Sequence, residues 1–148
     1  MLVVKELFRP ELGYKLPGGG ANFSEQISTA AIREVKEETG IDTKFVGIVA
    51  WRHGRQADSE GVSDIAFCCL LKPLNHSIVI QEREITAACW MPYAEFKKIA
   101  RHACAQFLAA YEAAGASNIC YPVNISGLLD LYVPAKTNLT NVITPTSC

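Results

Sequence analysis

Between Leu16 and Asp42 the chain reads LPGGGANFSEQISTAAIREVKEETGID, a glycine-rich loop running into an acidic segment that ends on another glycine. The spacing predicts a helix from Ser24 to Thr39, with Ser24 as N-cap and Gly40 as the left-handed residue that stops it. Each helical residue turns by about 100°, so Glu34, Glu37 and Glu38 fall within one arc of roughly 100°. Ser28, Ala31, Ile32, Val35 and Thr39 form the neighbouring buried stripe. Like charges at i,i+4 repel by a few tenths of a kcal/mol. Two readings compete. One is a solvated acidic face with an incidental Arg33–Glu37 bridge. The other is a set of hard oxygen ligands for a divalent cation, with Arg33 bracing them. The segment EVKEE alone favours the solvated face.

The rest of the chain frames that helix. Strands are predicted at Leu2–Leu7, Thr43–Arg52, Asp64–Leu71 and Ala87–Met91, with a weaker one at Ser77–Ile80. Asp64–Leu71 is apolar throughout, as a central strand buried on both faces would be. Loops are predicted over Phe8–Tyr14 and Gly54–Val62. One or two helices are predicted in Tyr93–Ala114. From Asn118 to Val133 no period is clear, and the residues from Pro134 onward read as a tail. Strands on both sides of a helix, with helices late, indicate an α/β or α+β sandwich around a mixed sheet. One domain over residues 1–115 is expected, followed by a poorly defined extension over residues 116–148.

A net charge of −1 gives no general attraction for nucleic acid or an anionic membrane, so neither is expected as a partner. An anionic ligand must be held by local cations or by metal. No apolar run approaches the ~20 residues that span a bilayer. The opening MLVVKELFRP lacks the pattern of a signal peptide. The six cysteines form no C-x-x-C pair and read as reduced core thiols. The expected compartment is the cytoplasm, with the mitochondrion and nucleus left open.

The full spacing decides between the two readings of the helix. Gly19, five residues, Glu25, seven residues, then Arg33-Glu34-Val35-x-Glu37-Glu38-x-Gly40-Ile41 resembles the complete signature of the Nudix hydrolases, with all nine defining positions matched. Tyr14-Lys15-Leu16-Pro17-Gly18-Gly19 resembles the family's approach to that box. Arg52-His53, Ser63-Asp64 and Trp90-Met91-Pro92 resemble one branch, that of the fibroblast-growth-factor-antisense Nudix protein and the plant ADP-ribose/NADH diphosphatases. The likeness covers about the first hundred residues.

The resemblance implies a Nudix α/β/α sandwich with a mixed sheet, and Mg²⁺- or Mn²⁺-dependent hydrolysis of a nucleoside diphosphate derivative such as ADP-ribose or NADH. It implies metal ligation by Glu37, Glu38 and Glu34, with the carbonyl of Gly18 adding a ligand. Arg33 orients these groups and Glu25 supports it as an ion-pair partner. Gly19 and Gly20 let backbone approach phosphate closely. Arg52 and His53, at a strand end, are candidates for substrate contact, although a polar strand end is the plainer reading. Glu84 is the preferred general base, on a mobile loop, ahead of Glu82; Glu34 is the alternative. Trp51, Tyr14 and Phe8 read as packed aromatics ahead of base-stacking platforms, and His76 as a surface residue without a partner. A nucleoside triphosphate pyrophosphohydrolase of the MutT kind shares the box, and so does a catalytically weak binding module. Most members carry another strand before the position of Leu2. Without it an open sheet edge would invite a second copy, so a homodimer is among the expected states.

Overall fold

The structure, a computed structural model, describes residues 1–55, 63–114, 119–124 and 130–134. Most of the loop predicted before Ser63 and the tail beyond Pro134 lie outside them. The elements are β1 (Leu2–Glu6), a 3₁₀ turn (Pro10–Leu12), β2 (Tyr14–Lys15), α1 (Ile27–Thr39), β3 (Thr43–Arg55), β4 (Ser63–Pro73), β5 (Ile85–Trp90), α2 (Tyr93–Ile99), α3 (His102–Ala114), β6 (Cys120–Asn124) and β7 (Asp130–Pro134). The strands form two sheets, β2-β1-β5 and β4-β3-β6-β7.

The fold class is α/β, as expected. A mixed sheet was expected too, but every pairing among the described residues is antiparallel. The reason lies in the connections. A parallel pair needs a crossover within one sheet, whereas α1 joins β2 to β3, and α2 with α3 join β5 to β6, strands of different sheets. β1 is not an open edge, since β2 flanks it on one side and β5 on the other. α1 packs on β3 and β4, and α3 packs on β3. Phe96 of α2 and Leu108 of α3 bury against Val3 of β1, with Leu16, Cys89 and Met91 around them.

Several local expectations are corrected. α1 starts at Ile27, with Gln26 rather than Ser24 at the N-cap and no side-chain cap. Ser24 has φ +59°, a left-handed conformation unlike the extended backbone an N-cap adopts. Gly40 does end the helix at φ +70°, its N–H donating to Lys36 O. β4 lies at a sheet edge, and Ile65 is 58% exposed, so the strand is not buried on both faces. Ser77–Ile80 forms no strand. That stretch instead runs along the C-terminus of α1, where Val79 N–H donates to Thr39 O (2.9 Å) and Gln81 N–H to Glu38 O (3.2 Å). The aperiodic region after Asn118 holds β6 and β7, and Cys120 of β6 pairs with Ile48 of β3. Trp51 is 64% exposed and Phe8 78% exposed, so neither is a packed aromatic. His76 is not alone either: its ring lies 5.3 Å from that of Trp90, whose Nε1–H donates to His76 O.

Among the described residues no helix is long and apolar enough to cross a membrane. Cys68, Cys69, Cys89 and Cys104 are unbridged thiols. Burial pushes Cys68 up to about 11 and Cys69 up to about 12.

Candidate active site

The loop between β2 and α1 folds back on the helix because Arg33 gathers it. The guanidinium donates from Nε and Nη2 to Glu25 (2.8 and 2.9 Å), from Nη1 to Glu34 (2.8 Å) and Glu37 (3.0 Å), and from Nη2 to the carbonyl of Gly20 (2.9 Å). A planar fork with five donors can do this; an ammonium cannot. Glu25 also accepts from Asn22 N–H (2.8 Å), and the hydrogen bonds from Arg33 and Asn22 hold its carboxyl well below the usual range, at about 2. The carboxylates of Glu25, Glu34 and Glu37 in turn raise Arg33 above its already high value.

Glu38 faces the other way. It is 6% exposed, and its Oε2 accepts from Gly18 N–H (2.9 Å). Lys15 Nζ stands 3.8 Å from Glu38 Oε1, 3.2 Å from the carbonyl oxygen of Gly18 and 2.7 Å from Glu6 Oε1. Sheet geometry explains the last contact. Lys15 sits opposite Val4, and Glu6 is two residues along the same strand face, a diagonal cross-strand pair. Burial pushes the Glu38 carboxyl up to about 7. Lys15 and the Gly18 N–H offset that in part, while the charges of Glu34 and Glu6 add to it. Gly19 separates the two clusters. A Cβ there would lie 2.6 Å from Glu34 Oε2, so the carboxylate occupies the space that only glycine leaves.

The sequence reading put three carboxylates on one arc. The chain's own cations divide them: Glu34 and Glu37 pair with Arg33, and Glu38 turns toward Gly18 and Lys15. Among the described residues no three His, Cys, Asp or Glu side chains converge on one point. The donors nevertheless suit a hard divalent cation. Glu34, Glu38 and the Gly18 carbonyl supply oxygen only, the Gly19 cradle admits the Glu34 carboxylate, and Glu38 is a buried acid with one weakly placed counter-charge.

Glu84 sits in a turn that is tied down. Its N–H donates to Gln81 Oε1 (2.9 Å), and its carbonyl accepts from Leu7 N–H (2.7 Å). The side chains of Glu82 and Glu84 are exposed. Arg52 pairs with Asp64 at 3.4 Å, and its Nε is buried without a partner among the described residues. His53 is exposed. Among the described residues no hydrogen bond or ion pair joins Arg52, His53, Glu82 or Glu84 to the glutamate clusters. The sequence reading missed the contacts of Lys15 and the whole of Glu6. The signal for Glu6 was its place in a strand two positions from the partner of Lys15, visible only once the register is known.

A family model described as the NUDIX domain matches residues 1–111. Nudix hydrolase 8 of Arabidopsis thaliana is 48% identical over 99 residues, covering 65% of this chain and 27% of that protein. Nudix hydrolase 2 of the same plant is 46% identical over 99 residues, covering 65% and 35%. The human protein named nucleoside diphosphate-linked moiety X motif 6 is 32% identical over 99 residues, covering 66% and 31%. The chain thus matches about a quarter to a third of the length of these curated relatives.

Proposed function

Because this chain belongs to the Nudix domain family, we propose that it hydrolyses a diphosphate-linked nucleoside, with ADP-ribose or NADH as the substrate class, in the presence of Mg²⁺ or Mn²⁺. The observation that carries this reading is the assembly of the box residues: Glu38 buried on the Gly18 N–H, Glu34 fitted against Gly19, and Arg33 bracing Glu25, Glu34 and Glu37. The name of the human relative, nucleoside diphosphate-linked moiety X motif 6, supports the diphosphate. The likeness of Trp90-Met91-Pro92 to one branch supports the choice within it.

Glu38, Glu34 and the Gly18 carbonyl would hold the cation, with exposed Glu37 at its rim. When bound, the cation neutralises charge on the diphosphate and lowers the pKa of water. Arg33 fixes the orientation of Glu34 and Glu37. Gly19 and Gly20 let backbone approach phosphate. Glu84 takes the proton from the attacking water, its backbone braced in the turn by Gln81 and Leu7. Arg52 and His53 meet the nucleoside end of the substrate.

Purified protein assayed against ADP-ribose, NADH and the nucleoside triphosphates, with and without Mg²⁺, tests the proposal. Metal-dependent release of a nucleoside monophosphate from ADP-ribose or NADH is expected. Pyrophosphate release from triphosphates alone would mark an enzyme of the MutT kind, and tight binding without turnover a ligand-binding module.

The base assignment has its own test. Glu84→Gln is expected to lower turnover at least ~100-fold, as loss of a positioned proton acceptor does, with Mg²⁺ activation unchanged and Glu82→Gln much milder. If Glu34→Gln abolishes turnover while both turn variants stay active, the base is on the helix.

A further inference from the structure

Among the described residues Lys15 is the one cation in contact with Glu38, at 3.8 Å from its Oε1, and it also holds the Gly18 carbonyl (3.2 Å), so it engages two of the oxygens assigned above to the metal. Its shortest contact is with neither: Glu6 Oε1 is at 2.7 Å. Glu6 has no role in the family signature or in the reaction scheme. All three groups are held in place. Lys15 and Glu6 lie on paired strands, Lys15 opposite Val4 and Glu6 two residues beyond Val4 on the same strand face.

We propose that Lys15 is a built-in competitor for the divalent cation, and that Glu6 is a positioning residue that sets the strength of the competition by drawing the ammonium away from Gly18 and Glu38. The inference rests on the reading of those two residues as cation ligands. Its physics is simple. An ammonium and a hard cation need the same oxygen lone pairs, so binding the metal requires Lys15 to give up Gly18 O and Glu38 and retreat onto Glu6. Removing the lysine charge therefore helps the metal. Removing the Glu6 charge leaves Lys15 nowhere else to go and hinders it.

Mn²⁺ binding to the full chain, without substrate, tests this by the electron paramagnetic resonance signal of free Mn²⁺ at constant ionic strength. Lys15→Met should tighten Mn²⁺ about 5-fold and Glu6→Gln should weaken it by a similar factor, the size of a partly screened charge contact. The double variant should match Lys15→Met, because Glu6 acts through the lysine. Independent sites would instead give additive effects. Lys97→Met and Glu112→Gln, which alter net charge identically at the α2–α3 ion pair, should leave Mn²⁺ affinity unchanged. Unchanged or weaker binding by folded Lys15→Met, or additivity in the double variant, overturns the proposal. If Lys15→Met does not fold, Glu6→Gln decides alone, and binding as tight as wild type overturns it. Absence of any Mn²⁺ binding by wild type overturns the ligand assignment itself.

Discussion

Glu38→Gln is expected to lower turnover at least ~100-fold and, in the presence of a chelator, to make the protein more stable than wild type above pH 7. The two effects share one cause. Burial holds the Glu38 carboxyl at about 7 against an ordinary 4.5, so between those values the folded state binds a proton that the unfolded chain has released. Stability is then fully present below about pH 4.5 and declines as pH rises to 7, by up to about 3 kcal/mol. Glutamine keeps the acceptor for Gly18 N–H and is neutral at every pH, so the variant has no such decline. Thermal melts at pH 5 and pH 8 in chelator, with turnover measured in Mg²⁺, give both readings. Added Mg²⁺ should stabilise wild type and leave the variant unmoved. Near-normal turnover in a folded variant, or a lower melting temperature than wild type at pH 8, contradicts this account of Glu38.

Arg33→Met is expected to cut turnover ~10- to 100-fold, the usual loss when the groups orienting metal ligands are removed, and Arg33→Lys should restore little of it. One guanidinium reaches Glu25, Glu34, Glu37 and the Gly20 carbonyl at once. Lysine offers a point charge in place of that fork and can serve at most part of the set. Without it Glu25 keeps only the Asn22 N–H and rises toward the ordinary carboxylate range, and Glu34 and Glu37 repel each other with no cation between them. Steady-state kinetics over a range of Mg²⁺ should show a lower maximal rate together with a higher Mg²⁺ requirement. Full activity in Arg33→Lys would mean that charge alone suffices.

What could be read from the sequence was whatever depends on local geometry. The rotation of a helix brings Glu34 and Glu37 to the side of Arg33, and the structure pairs them there. A glycine after Thr39 predicts a left-handed stop, and Gly40 is one. The nine-position spacing carried the family. What stayed hidden depends on partners distant in sequence. That Glu38 turns away from its neighbours follows from Gly18, twenty residues upstream, and from Lys15 just before it, and the place of Glu6 follows from strand register. The apolar run in β4 cannot show that its strand is the last in the sheet, because sheet order is fixed by what else pairs. Ser24 was an attractive cap by residue type, but Glu25 must reach Arg33 and Asn22, and the backbone turns through Ser24 to allow it.

Connecting segments usually tolerate changes in length, since they touch little. The one between β4 and β5 cannot. Val79 and Gln81 cover the last carbonyls of α1, and three residues later Glu84 meets Leu7. The chain between these two moorings has a fixed count. One residue inserted between Gln81 and Glu84 would have to release either the helix end that bears Glu38 or the turn that bears Glu84. A change of length in this stretch therefore costs one of the two moorings, while a substitution at an exposed position such as Glu82 costs neither.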